Sequence, residues 1–429
     1  MSGRVRVRFL DTRPLRRSRP FRDLWIGSTA SQLGGQIATV AVLAQVWDLT
    51  GSPVGTGVIG LATGLPMVVF GLLGGWLADT FDRRAVVRAT TAGQLLAAAG
   101  LWAQAMADNR SVLLLLTLVA VGTSCSALGA PARRILPVRL LPKDQVAAGL
   151  ALMNVSFQAA MLAGPALAGL IIARWELPAA YAAQAMATAV AGLSLIRLPA
   201  MRPEGADAVG ARRRPERGGW RILRRPTLWG AMATDLSATL LAMPIALFPL
   251  VNELRFGGNP QTLGLFLSAV AVGGITAGLL SGTVTRWRRS GLVQLTAASV
   301  WGLALACFGL AGPLWLALAC LAVAGAADTV SVITRGALIQ LETPDTYRGR
   351  VSSVEHVIGV AGPELGNFRG GLLASATSAS FSLVFGGLSA VLAIAAVAAT
   401  NAPLRAYRTP PSAAKPTTPH VAEAAAASG

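Results

Sequence analysis

A chain of 429 residues that is 53% hydrophobic, only 13% charged and holds 47 glycines is too apolar for a soluble protein of its size. Its net charge of +18 would suit a nucleic acid, but the basic residues are confined to tails, loops and helix ends, which argues against that partner. Cys125, Cys307 and Cys320 are scattered through apolar runs and His356 has no companion. The composition therefore offers no disulfide framework, no metal site and no catalytic constellation, and neither a cofactor nor an enzyme activity is expected.

A membrane crossing takes about 20 predominantly apolar residues. Twelve stretches qualify: 22–47, 54–77, 85–106, 112–131, 145–173, 177–196, 226–251, 261–284, 291–310, 313–335, 350–375 and 380–400. If the N-terminus is placed in the cytoplasm, every Lys and Arg except Arg110, Arg174, Arg255 and Arg369 falls in a tail, a cytoplasmic loop or a cytoplasmic helix end. This positive-inside bias predicts an all-α, multi-pass protein of the cytoplasmic membrane with both termini inside. Residues 1–21 read as a basic arm lying along anionic headgroups, without the pattern of a cleaved signal peptide. Residues 22–196 then form one six-helix bundle and 226–400 a second, joined by a cytoplasmic linker, 197–225, that holds nine Arg. The tail, 401–429, is rich in Pro, Ala and Thr and reads as disordered.

Taken in order, the first span carries Gln32 and Gln36 on one helix face, suited to hydrogen-bonding either a substrate or a neighbouring helix. The turn after the second span runs Gly75-Trp76-Leu77-Ala78-Asp79-Thr80-Phe81-Asp82-Arg83-Arg84. Gly75 would let two helices approach closely, while Asp79 and the pair Arg83 and Arg84 would join and part as the bundles rock. The fourth span closes at Arg133-Arg134, and the fifth holds Asn154, Gln158 and the core Gly164-Pro165-Ala166-Leu167-Ala168-Gly169. Pro165 removes a backbone hydrogen bond and Gly164 and Gly169 permit close packing on both sides, so this helix is expected to bend. Arg133 and Pro142 recur as Arg335 and Pro344 at one common offset, as expected of two related bundles around a midplane site.

Acids inside apolar spans are expensive, about 2.5 to 3.5 kcal/mol each on insertion scales, and are functional candidates for that reason. The second half has Asp235 in its first span, Asp328 two turns before Arg335, and Glu364 with Asn367 and Arg369 in Gly362-Pro363-Glu364-Leu365-Gly366-Asn367-Phe368-Arg369. Asp235, with no charged neighbour in sequence, is the first proton-carrier candidate. Glu364 is the second, with Arg369 as its partner. Each could equally serve a fixed interhelical hydrogen bond, and Asp328 with Arg335 a static buried pair. Glu355 and His356 follow Arg348 and Arg350 closely and read as interfacial.

The Gly-x-Leu-Ala-Asp-x-x-x-Arg-Arg spacing of the 75–84 turn resembles the loop between the second and third helices of the major facilitator superfamily. The Gly-Pro-x-x-x-Gly core of the fifth span is similar to the motif of its antiporters, with Ala168 where a glycine is usual. Phe21-Arg22-Asp23-Leu24-Trp25, Asp48-Leu49-Thr50-Gly51-Ser52-Pro53 and Arg348-Gly349-Arg350-Val351-Ser352-Ser353-Val354 resemble the enterobactin-exporter branch, over residues 21–400. The resemblance implies twelve transmembrane helices in two six-helix bundles and a monomeric, proton-driven antiporter. It would export a siderophore, drug or other hydrophobic small molecule; the residues themselves offer Gln32, Gln36, Asn154, Gln158 and Asn367 as candidates for lining its pocket, Asn367 matching no motif of that branch. An uptake symporter on the same fold, or a membrane sensor or scaffold that transports nothing, are the other readings. The last is suggested by the second half's turn at 282–289, which has no Asp.

Overall fold

A computed structural model describes residues 11–142, 144–199, 201, 219–281, 287, 289–344 and 347–408, without the side chains of Asp79, Gly219, Trp220, Arg221, Arg348, Gly349 and Arg350. The first part of the basic arm, most of the linker, the turn at 282–286 and the tail beyond Arg408 lie outside the described residues.

The first half holds helices α1 (Arg19–Thr50), α2 (Pro53–Thr80), α3 (Arg83–Met106) and α4 (Val112–Leu140). The next helix, Val146–Ile196, has 51 residues. Unbroken it would run about 75 Å, more than twice the thickness of a bilayer core. Glu176 breaks it with φ 65°, so that 146–175 form α5 and 177–196 form α6. The second half holds α7 (Pro226–Phe256, with a tight turn at Ile245–Leu247), α8 (Pro260–Leu279), α9 (Ser290–Leu310), α10 (Leu314–Glu342), α11 (Arg348–Ala376) and α12 (Ala379–Thr400). Among the described residues eight helices are apolar and long enough to cross a membrane, one of them the broken helix of α5 and α6. With the more polar α1, α3 and α11 the set fits twelve crossings.

Helix boundaries follow local chemistry. Ser18, Asp82, Ser111, Asn259 and Ser378 each accept a hydrogen bond from a first-turn N–H, and Pro20, Pro53, Pro226 and Pro260 occupy first-turn positions where no backbone donor is needed. The short turns that result put consecutive helices antiparallel.

One end of the molecule gathers the arginines. There the Arg83 N–H donates to Met201 O at 3.2 Å, the Met201 N–H to Asp82 Oδ1 at 3.2 Å, and Arg88 Nε to Leu195 O at 3.0 Å, so the α2–α3 turn is sewn to the chain leaving α6. In the second half Arg225 donates to Glu342 O at 2.9 Å. The opposite end is closed by polar groups that satisfy each other. Gln45 and Gln104 exchange amide hydrogen bonds at 3.0 and 3.2 Å, and the Tyr181 hydroxyl donates to Gln45 Oε1 at 2.7 Å. Arg255, which the charge bias left on this side, donates to the carbonyls of Phe308, Gly309 and Ala311 and to Ser380 Oγ.

Candidate functional site

The bundles meet most extensively through α2 against α11 and α5 against α8, and the glycine-mediated and hydrogen-bonded contacts there lie in the halves of those helices away from the arginine-rich end. On α2, side chains at Gly60 and Gly64 would collide with Glu364, whose Cβ lies only 2.7 Å from where a Gly64 Cβ would stand. Two glycines four residues apart thus form a seat for the Glu364 side chain on α11, beside Thr63 and Asn367. On α5, a Gly169 Cβ would lie 2.6 Å from Pro260 O, and Ser268 Oγ of α8 donates to Leu162 O at 2.9 Å. Trp47 Nε1 donates to Glu253 Oε2 at 3.0 Å and Thr56 Oγ1 to Ala246 O at 2.7 Å, joining the outer ends of α1 and α2 to α7.

Toward the arginine-rich end α2 and α11 part, and the first bundle opens a larger space of its own. A cavity of about 920 Å³ is walled by α1 to α6, its polar surface made by Ser28, Ser31, Gln32, Gln36, Thr39, Thr91, Gln94, Ser126, Arg133, Arg134 and Ser194. A cavity of about 370 Å³ adjoins it where α2 and α4 face α11, and shares Met67, Ala130 and Arg134 with it. Gln32 donates to Ser28 O at 3.0 Å, and Gln36 packs against Gly164, where any side chain would strike it.

Asn154 and Gln158 are not among the lining residues. Met153, Phe157 and Ala160 present the cavity face of α5 instead, about 100° away around the helix. Asn367 is likewise no wall residue: it is buried, and its Oδ1 accepts the Ala246 N–H at 3.1 Å. Backbone angles stay helical through Pro165, and the residue of this helix with non-helical angles is Glu176.

The acids pair differently from the sequence expectation. Arg335 turns from Asp328 to form an ion pair with Asp235 of α7, and its Nε lies 3.7 Å from Glu355 of α11. Asp235 therefore has a countercharge, and Glu355, read as interfacial, belongs to a three-residue cluster that ties α7, α10 and α11 together. Arg369 does not reach Glu364; it donates to Leu241 O of α7 across Gly386. Among the described residues neither Glu364 nor Asp328 has an ion-pair partner.

The α2–α3 turn also departs from expectation. Gly75 has open space where its side chain would be and borders the 370 Å³ cavity. The close approach belongs to Gly74, whose Cβ would meet Leu128 O of α4 at 2.6 Å. Arg83 is buried, its Nε donating to Ala78 O at 3.3 Å, and the Arg84 N–H donates to Asp82 Oδ1 at 2.8 Å. Those contacts stay inside the first bundle; the Asp79 side chain lies outside the described residues.

Two features escaped the sequence reading. The Gly60-x-x-x-Gly64 spacing was visible as a small-residue motif, but nothing in sequence named Glu364 as its occupant. Arg133 was visible through its repeat with Arg335, but not its direction. It donates to Ser126 O at 3.3 Å and its terminal nitrogens face the Gln94 amide, which satisfies them when its oxygen is turned toward the arginine, over Gly129 and along the cavity wall.

Two helical bundles joined at one end and parted around a polar cavity at the other define a membrane transporter of the major facilitator fold. The chain belongs to the transmembrane secretion effector family of that superfamily, whose pattern matches residues 12–427. It is 27% identical over 404 residues to the enterobactin exporter EntS of Citrobacter koseri, covering 91% of this chain and 94% of that protein. The corresponding exporter of Shigella flexneri is 26% identical over 382 residues, 87% of this chain and 91% of that one. Among solved structures, a POT family transporter in complex with 5-aminolevulinic acid superposes with a TM-score of 0.73 at 11% identity, over 90% of this chain and 97% of that one, a likeness of fold alone.

Proposed function

We propose that this protein is a proton-coupled antiporter that exports a small molecule across the bacterial cytoplasmic membrane by alternating access, acting as a monomer with both termini in the cytoplasm. On this reading the arginine-rich end is cytoplasmic and the structure is the inward-facing state. The observation that carries the proposal is the asymmetry of the bundle contacts: the described polar and glycine-mediated contacts between bundles lie in the outer halves of the helices, and the polar cavities lie in the inner halves. The similarity to enterobactin exporters supports the outward direction and a siderophore-like or otherwise hydrophobic cargo.

Glu364 takes the place of first proton carrier. Neutral, it fits the Gly60 and Gly64 seat and the outer contact closes. Ionised, it would put a charge with no described cation partner into a helix–helix contact, which costs several kcal/mol. A proton taken from outside therefore favours the inward-facing state. Cargo binding and proton loss on the inside favour opening outward, and the difference in affinity between the two states drives the cycle. Asp235, held by Arg335, serves to keep α7 on α10, with Asp328 as the second carrier. The Gly164-Pro165 and Gly169 segment, which packs on Pro260 and Gly264 of α8, acts as a moving contact between the bundles.

The test is cargo accumulation by inverted membrane vesicles energised with a proton gradient. Glu364→Gln is expected to abolish gradient-driven accumulation and cargo exchange between the two sides while leaving cargo binding from the inside. Unchanged accumulation in Glu364→Gln and in Asp328→Asn would remove both carriers, and accumulation only in right-side-out vesicles would make the protein an uptake symporter.

A further inference from the structure

We infer that the large cavity of the first bundle recognises organic anions: amphipathic molecules with an apolar body and at least one carboxylate, sulfonate or phenolate group. The inference rests on the reading of this cavity as the cargo site. Among the described residues its lining contains Arg133 and Arg134 and no carboxylate. Two adjoining cavities add His356 and again no carboxylate.

Arg133 is the anchor. Its described partners are the Ser126 carbonyl and the Gln94 amide oxygen, both neutral, so its charge is solvated by dipoles and not cancelled. A guanidinium held in that way keeps its charge available to a ligand, and its planar fork of donors suits a bidentate anion. Gly129 leaves room for it, since a side chain there would collide with the guanidinium. Around the charge, Gln32 and Gln36 offer amides, while Met67, Met153 and Phe157 offer apolar surface. An ammonium group would meet two like charges and no countercharge; a neutral molecule would leave the arginine unpaired.

The experiment measures binding to the purified full-length protein in detergent by calorimetry, against detergent alone, with three probes. These are anilinonaphthalene sulfonate, its neutral twin phenylnaphthylamine, and the cation tetraphenylphosphonium. The sulfonate is expected to bind at least about tenfold more tightly than its neutral twin, the scale of a hydrogen-bonded charge. Arg133→Gln should erase that preference while changing the neutral twin's affinity by less than about twofold, and Arg133→Lys should retain part of it. Equal affinity for the twins in the wild-type protein, or preference for the cation, overturns the assignment without recourse to any variant. So does an equal loss for both twins in Arg133→Gln. If that variant fails to fold, Gln94→Ala, which frees the guanidinium without removing its charge, must preserve the preference. The export reading fails separately. Gradient-driven accumulation of the cation but not the sulfonate would leave export standing and end the anion assignment, whereas sulfonate binding with no accumulation would support the site and end export.

Discussion

Arg133 and Arg335 occupy matching places in the two halves, yet the protein treats them in opposite ways. Arg335 is buried with two carboxylates, Asp235 and Glu355, brought from two other helices. Arg133 is held by an amide and a carbonyl and borders the cavity. One charge position of the two-fold repeat is thus a fastening in the second half and, on the proposed reading, a binding surface in the first. The fastening ties α7, α10 and α11 together. On the proposed reading the cavity surface keeps its charge, because among the described residues no carboxylate lines the wall.

The comparison breaks most sharply by removing one partner of the fastening. Asp235→Ala should cost about 3–5 kcal/mol, because the Arg335 charge stays buried without its closest countercharge. Thermal unfolding in detergent measures it, and the double variant Asp235→Asn with Arg335→Gln should recover much of the loss. Arg133→Gln should change stability by no more than about 1 kcal/mol, since no countercharge is stranded. If the two arginines cost the same, the division of roles fails.

Next in size is the seat for Glu364. Gly64→Val should overpack the α2–α11 contact by about 1–3 kcal/mol. A cysteine placed at Ser52, in a background free of the three native cysteines, should then react faster with a membrane-impermeant thiol reagent added outside. A change in the same range is expected at the closed end of the first bundle. Gln45→Ala leaves Gln104 and Tyr181 without their partner and should cost about 1–3 kcal/mol. The smallest effect is expected for Trp47→Phe, which loses one exposed hydrogen bond to Glu253. It should lower the melting point slightly, by about 0.5–1 kcal/mol of stability.

The helices themselves were legible in the sequence, because lipid demands about 20 apolar residues for each crossing and the arginines mark one side. The pairings were not. Sequence spacing ranks partners along one helix, and so it favoured Asp328 for Arg335 and Arg369 for Glu364. In the fold each group takes a partner from another helix, Asp235 for Arg335 and the carbonyl of Leu241 for Arg369. Errors of one residue have the same origin. Adjacent helical positions differ by about 100° in direction, enough to exchange Gly75 for Gly74 and to replace Asn154 and Gln158 with Met153 and Phe157 at the cavity wall.

The account stands on the bundles pivoting about their outer contacts, and the direct measurement is the distance between spin labels on α2 and α11. One pair would be placed at Val68 and Val357, across the inner cavity, and a second pair near Thr56 and Leu372 at the outer end. Lowering the pH should lengthen the inner distance as it shortens the outer one, with Glu364→Gln locked in the low-pH pattern. Two distances that stay fixed across pH, or that lengthen and shorten together, would contradict it.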